Sequence, residues 1–182
     1  VGENGAVVST AEELRDAVNS GKETICVYGK IDLGDISTSG GLSLQENQKL
    51  VGVEYFGNFK DGEGFSGISA TANITRKNLI YIQKDGCLIS DLDLNYENMM
   101  EIGNAFTIYA EGSNASVTLQ NLNISSKFND NNTAAKASIA LQAGATADIR
   151  KNIKINSSGH GAIGLYIYNY SNVSISSASN VN

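Results

Sequence analysis

The stretch "SDLDL", residues 90 to 94, places Asp91 and Asp93 two positions apart in a run that alternates polar and apolar residues. On a strand, that spacing puts both carboxylates on one outward face. Oxygens so placed could share a calcium ion or polarise a sugar hydroxyl. The plainer role of such a pair is to keep an outer face soluble, and the equivalent positions one repeat later, Asn121 and Asn123, add no negative charge. A second acidic pair, Asp61 and Glu63 in "KDGEG", is flanked by glycines and reads as a solvated turn. Further along, "GLYIYNYSN" sets Tyr166, Tyr168 and Tyr170 at alternate positions. With Ile163, Leu165 and Ile167 directed inward, the three rings are expected to point outward. They would form a ladder able to stack on sugar rings or a protein partner, or simply clad neighbouring coils.

Other reactive residue types are sparse. The single histidine, His160 in "SSGHGAIG", reads as a turn residue, and no Ser/His/Asp or Cys/His set can be built around it. Cys26 and Cys87 lie in the apolar runs "TICVYG" and "DGCLIS" and read as small buried hydrophobes, with a disulfide or a reactive thiol as the alternatives. No glycine spacing matches a phosphate-binding loop. No catalytic residue, metal site or cofactor is therefore expected. The 13 basic residues, set against 19 acidic ones and nowhere clustered, give no footprint for a phosphate backbone, which excludes nucleic acid as an expected partner. No apolar run has the length of a membrane-spanning helix, and "VGENGAVVST" lacks the basic and apolar regions of a signal peptide, so the chain reads as cytosolic or already processed.

Composition points to the elements that must hold these residues. Charged residues make up only 18% of the chain, proline is absent, and Gly, Ser, Asn and Thr are abundant, which describes an ordered, turn-rich β protein. One helix stands out: "STAEELRDAVNSG" offers Ser9 or Thr10 as cap, Glu12 or Glu13 in the first turn, and Ala11, Leu14, Ala17 and Val18 at helical spacing. A strand is expected over Thr24 to Gly34, two short ones within Leu42 to Val53, and a Gly-rich connection from Tyr55 to Ala70.

Four later segments, starting at Leu79, Phe106, Ser138 and Ile163, can be set in register. Cys87, Ile89, Leu92 and Leu94 align with Val117, Leu119, Leu122 and Ile124, then with Ala147, Ile149, Ile153 and Ile155, and finally with Val173, Ile175, Ala178 and Asn180. Steps of two describe a strand with one buried face. The step of three between Ile89 and Leu92 breaks that period, so the chain must turn a corner for both flanks to face inward. A strand, a corner and a strand around one interior form a coil, and coils of this kind stack in parallel into a solenoid. The insertion Lys127 to Lys136 is expected to project from the stack as a loop.

The order of helix, first strand and coils resembles the right-handed parallel β-helix of the pectin-lyase-like superfamily. The opening "VSTAEELRDAVNSGKETICVYGKIDL" is similar to the start of those domains, and "LSLQENQKLVGV" to the coil after it. The resemblance implies an all-β, right-handed parallel β-helix with an N-terminal capping α-helix. Residues 1–182 form a single domain on this reading, with the capping helix over 9–21 and stacked coils over 24–182, and the chain is the N-terminal fragment of a longer solenoid. Pectate lyases of this superfamily carry an Arg base, paired Asp ligands for calcium and Trp- or Pro-containing motifs. With no Trp or Pro, and with Arg15, Arg76 and Arg150 as the only arginines, no position here inherits them.

The expectation is consequently a non-enzymatic, secreted or cell-surface β-helix, most like the passenger of a bacterial autotransporter adhesin. It would attach to a host-surface protein or glycan, or to sister molecules, through Tyr166, Tyr168 and Tyr170 or Asp91 and Asp93. The alternatives are a carbohydrate-active β-helix whose catalytic coils lie elsewhere, and a tailspike-like structural protein.

Overall fold

The computed structural model describes residues 1–57, 66–129 and 134–176. Strand β1 (Gly5–Val8) precedes helix α1 (Ala11–Asn19), followed by β2 (Thr24–Val27), β3 (Lys30–Asp35), β4 (Leu42–Leu44) and β5 (Lys49–Gly52). A short 3₁₀ turn over Val53–Phe56 leads towards β6 (Gly67–Ala72), β7 (Ile80–Ile82), β8 (Cys87–Asn98) and β9 (Ala105–Glu111). The chain continues through β10 (Ser116–Phe128), β11 (Lys136–Gln142), β12 (Thr146–Ser158), β13 (Ala162–Ile167) and β14 (Asn172–Ile175). These strands form two sheets. One runs β1-β2-β5-β8-β10-β12-β14, with β3 and β6 attached, and the other runs β13-β11-β9-β7-β4. Every pairing is parallel. This is a parallel β-helix with an N-terminal capping helix, as the sequence predicts.

Each coil has three arms. The first arm is β2, β5, β14 and the opening halves of β8, β10 and β12; the second is β3, β6 and the closing halves of the same long strands. The five-stranded sheet makes the third arm. The stretch Thr24 to Gly34 is accordingly two strands rather than one, bent where Gly29 takes a φ of 78°. Likewise β4 and β5 belong to different sheets.

The corner anticipated from the step of three lies at Asp91, Asn121 and Lys151, which stack on successive coils with φ of 56°, 49° and 60°. Asp and Asn tolerate this left-handed conformation, whereas Lys151 carries about 1–2 kcal/mol of backbone strain. One extra residue in the third coil is absorbed here, because Gln120 pairs with Arg150 and Leu122 with Ile153. With the corner in place, Ile89, Leu119 and Ile149 from one arm and Leu92, Leu122 and Ile153 from the next all enter one core. The aligned positions pair as expected, Cys87 with Val117 and Ala147, Leu94 with Ile124 and Ile155. In the last coil Val173 pairs with Ala147 as expected. Ile175 pairs with Ile149 of β12, as expected, and is 56% exposed, and Ala178 and Asn180 lie outside the described residues.

Helix α1 closes the first coil. Thr10 is the cap: its hydroxyl accepts from the Glu13 amide at 3.2 Å while the Glu13 carboxylate accepts from the Thr10 amide at 3.2 Å, and Leu14, Ala17 and Val18 are buried beneath. Buried Gln48 fastens the helix to the second coil, its amide donating to the carbonyls of Val18 and Lys22, each at 3.0 Å. Inside the stack, a chain of buried hydroxyls links Thr107 to Ser126 at 2.6 Å and Ser126 to Ser138 at 2.7 Å. The expected loop from Lys127 to Lys136 is shorter than the sequence implies, since Phe128 still belongs to β10 and Lys136 begins β11, both buried. Residues 130–133 lie outside the described residues.

Leu119 is fully buried with a rung on either side, so Leu119→Ala should cost about 2–5 kcal/mol in a chemical denaturation experiment, whereas Ile175→Ala should cost under about 0.5 kcal/mol. Equal losses would mean that these residues do not share an axial core.

Candidate functional site

The outer face of the five-stranded sheet carries the site. Its register aligns Ser43, Tyr81, Tyr109, Ala140 and Tyr166 in one column across β4, β7, β9, β11 and β13, and Phe106, Ala137 and Ile163 in the next. Tyr81 and Tyr109 stack with ring centroids 5.4 Å apart and planes 18° from parallel. Ala140 interrupts the column, and Phe106 bridges the interruption: it lies 4.8 Å from Tyr109 and 6.4 Å from Tyr166. Tyr166 in turn stacks on Tyr168 at 5.9 Å, with only 9° between the planes. The rings therefore run continuously from β7 to the end of β13. Each pair contributes roughly 0.5–1.5 kcal/mol beyond the area it buries.

This ladder overlaps the predicted one only in part. Tyr166 and Tyr168 belong to it, but Tyr170 occupies a turn beyond the end of β13, with a φ of 63°, and is 92% exposed. Ile163 packs with Phe106 and Tyr166 in the outer cluster, whereas Leu165 packs on the inner core. Strict alternation fails because β13, like β9 and β11, turns two consecutive residues inward, as the paired inner positions Thr107–Ile108 and Ser138–Ile139 show. Tyr81, Phe106 and Tyr109 were not anticipated. The signal was available in the first strands of the repeats, where "IYI", "TIYA" and "GLYI" carry tyrosine at one register position.

A cleft of about 400 Å³ opens beside Tyr81 and Tyr109. Its polar residues come from neighbouring rungs. Asn78 and Asn104 stand just before β7 and β9, and each has its side-chain carbonyl committed, Asn78 to the Phe106 amide and Asn104 to the Ala135 amide, both at 3.1 Å. Their NH₂ groups make no hydrogen bond among the described residues. The Tyr81 phenol donates to Glu111 at 2.6 Å, and the Tyr109 phenol donates to Gln142 at 2.7 Å while lying against the same Glu111 carboxylate. Arg76, in the left-handed conformation at φ 58°, is exposed at the rim, and its amide donates to the Asn104 carbonyl at 2.9 Å.

Buried groups hold that rim in place: the Tyr96 phenol donates to the Lys77 carbonyl and the Asn98 amide to the Ile74 carbonyl at 3.0 Å. Burial raises the Tyr81 phenol to about 12, with the neighbouring Glu111 carboxylate adding to the effect. Burial and then Glu111 raise Tyr109 still further, against a smaller opposing pull from Arg76.

Asp91 and Asp93 do not share a face. Asp91 is the corner residue, 6% exposed, accepting from the Ser90 hydroxyl and, at 3.0 Å, from the Asn121 amide. Asp93 lies on the second arm, ion-paired to Lys30 and accepting from the Asn123 amide at 2.8 Å. The backbone bend between them removes the two-residue alternation, and each carboxylate is matched by the asparagine one coil on. Among the described residues, no cluster of three or more His, Cys, Asp or Glu could hold a metal ion. Asp61 and Glu63 lie outside the described residues.

His160 is exposed between Gly159 and Gly161. Cys26 and Cys87 are buried and unbonded, which removes the disulfide reading; burial raises both thiols, Cys87 to about 11. A second cleft, about 420 Å³, covers the outside of the first arm, but its charges are mutually engaged, with Arg150 on Asp148 at 2.6 Å.

Together these features define a parallel β-helix bearing an aromatic and amide-lined outer face. No protein-family model, curated protein or solved structure matches the chain. Among the described residues, no helix is long and apolar enough to cross a membrane.

Because folding raises the Tyr81 phenol from 10.0 to about 12, the protonated form favours the folded state. That stabilisation is complete below pH 10 and disappears as the pH climbs through about 12. In an ultraviolet titration, the difference between the native chain and Tyr81→Phe should therefore show phenolate only near pH 12. Phenolate already formed at pH 10 would mean the cleft is open to bulk water.

Proposed function

We propose that this chain is a non-enzymatic recognition β-helix, part of a secreted or cell-surface bacterial adhesin passenger, which attaches to carbohydrate through the outer face of its five-stranded sheet. The observation that carries this reading is the unbroken run of rings from Tyr81 to Tyr168, flanked by the amide side chains of Asn78, Asn104 and Gln142 that line the adjoining cleft. Sugar rings present apolar C–H faces and polar hydroxyl edges. An immobilised aromatic surface with adjoining amides complements both at once. The rigidity of the stack supports the same reading. Rings fixed by their neighbours lose little rotamer freedom on binding, which lowers the entropic cost of association.

The chemistry of the cleft also favours binding over turnover. Its phenols are held protonated, which removes them as bases near neutral pH, and the lining offers Glu111 as a single carboxylate without the second acid of a hydrolytic pair. The Asp91 carboxylate is engaged at the corner and the Asp93 carboxylate is paired on the second arm.

The test is attachment of labelled chain to epithelial cells and to a panel of immobilised glycans. Replacing Tyr109 and Tyr166 together by Ala, the residue β11 already carries in this column, should weaken attachment at least about tenfold with the fold intact by circular dichroism. Tyr170→Ala, outside the ladder, should leave it within about twofold. Unchanged attachment in the double variant would sink the assignment of this face. Release of reducing ends from any glycan in the panel would replace the binding reading with an enzymatic one.

A further inference from the structure

Building on the proposed attachment face, the donors and acceptors of the cleft narrow the ligand. Successive rungs repeat one ring in register, Tyr81 and then Tyr109, with the amides Asn78 and Asn104 beside them, three residues before the first ring and five before the second. Parallel strands stack about 4.8 Å apart, close to the length of one pyranose unit. A chain of sugars lying along the solenoid axis would thus meet a tyrosine at each of these rungs, whereas one lying across the sheet would meet one.

Charge then selects among such chains. Asn78 and Asn104 each spend one carbonyl lone pair on a backbone amide and Gln142 spends one on the Tyr109 phenol, so their NH₂ groups make donors the more numerous free groups of the cleft. Glu111 is the charged acceptor among them, and a carboxylate has lone pairs to spare beyond those used by Tyr81. A sugar hydroxyl accepts and donates, so it satisfies the amides and Glu111 together. A sugar carboxylate only accepts, and would bring a like charge beside Glu111. Arg76 at the rim offsets that carboxylate, and the chain as a whole carries −6.

We propose that the cleft formed by Asn78, Tyr81, Asn104, Tyr109, Glu111 and Gln142 binds a linear, uncharged glycan running parallel to the solenoid axis. Glu111 accepts from sugar hydroxyls and the three amides donate to them, while the ladder supports the chain beyond the cleft.

Calorimetric titration of the full chain with cellohexaose, xylohexaose and chitohexaose, and with hexagalacturonate as the acidic counterpart, tests this. At least one neutral hexamer should bind, with hexagalacturonate at least about tenfold weaker. Glu111→Gln and Asn104→Ala should each weaken the neutral ligand by about tenfold, and Arg76→Gln by less than about threefold, with melting curves confirming that each variant is folded. Tighter binding of hexagalacturonate, abolished by Arg76→Gln, would overturn the ligand class while leaving the attachment face standing. Ladder-dependent attachment to cells without binding of any neutral hexamer would do the same. Loss of ladder-dependent attachment altogether would bring down the attachment face itself, and this inference with it.

Discussion

Parallel stacking of inward-facing apolar side chains, rung upon rung, is the constraint from which the remaining structure follows. No single coil can bury its own apolar face. Ile89 is covered only because Leu50 lies on one side and Leu119 on the other, and the same is true along the axis. The register that aligns these residues simultaneously aligns whatever points outward. Outer-face chemistry in this fold is therefore columnar: asparagine follows aspartate at the corner, and tyrosine follows tyrosine on the third arm.

The corner divides structural from interactive polarity. Asp91, Asn121 and Lys151 accept an uncommon backbone conformation so that two flanks can reach one core. The side chains of Asp91 and Asn121 are then consumed in holding that bend. On the third arm the backbone is stabilised by its ladder and its buried hydroxyls, and the outer side chains are left to engage one another and solvent. That difference explains why the acidic pair, conspicuous in sequence, is engaged within the fold, while the outward aromatic and amide groups gather on the third arm.

Most of the fold was legible because it rests on periodicity. The helix cap, the paired apolar positions from Cys87 to Ile155 and the corner at the step of three all follow from local spacing. What was illegible depended on departures from it. Asp91 and Asp93 were assigned one face by assuming straight alternation through a residue that is in fact bent, and Tyr170 was placed on a strand that ends at Ile167. The doubled inward positions of the third arm shifted Ile163 to the outside, since no apolar pattern distinguishes Ser138 or Gly164 as interior residues. The cleft itself joins residues 76 to 142, and only stacking of separate repeats brings Arg76, Glu111 and Gln142 together.

The direction of the backbone hydrogen bonds has a mechanical corollary. In a parallel solenoid they lie along the long axis, so tension applied between its ends opens rungs directly instead of shearing them past one another. Coils with corners thirty residues apart, as at Asp91, Asn121 and Lys151, would peel off singly, each paying out roughly 100 Å of chain. A molecule built this way yields to pulling in discrete steps, and dissipates load without surrendering the coils that have not yet come undone.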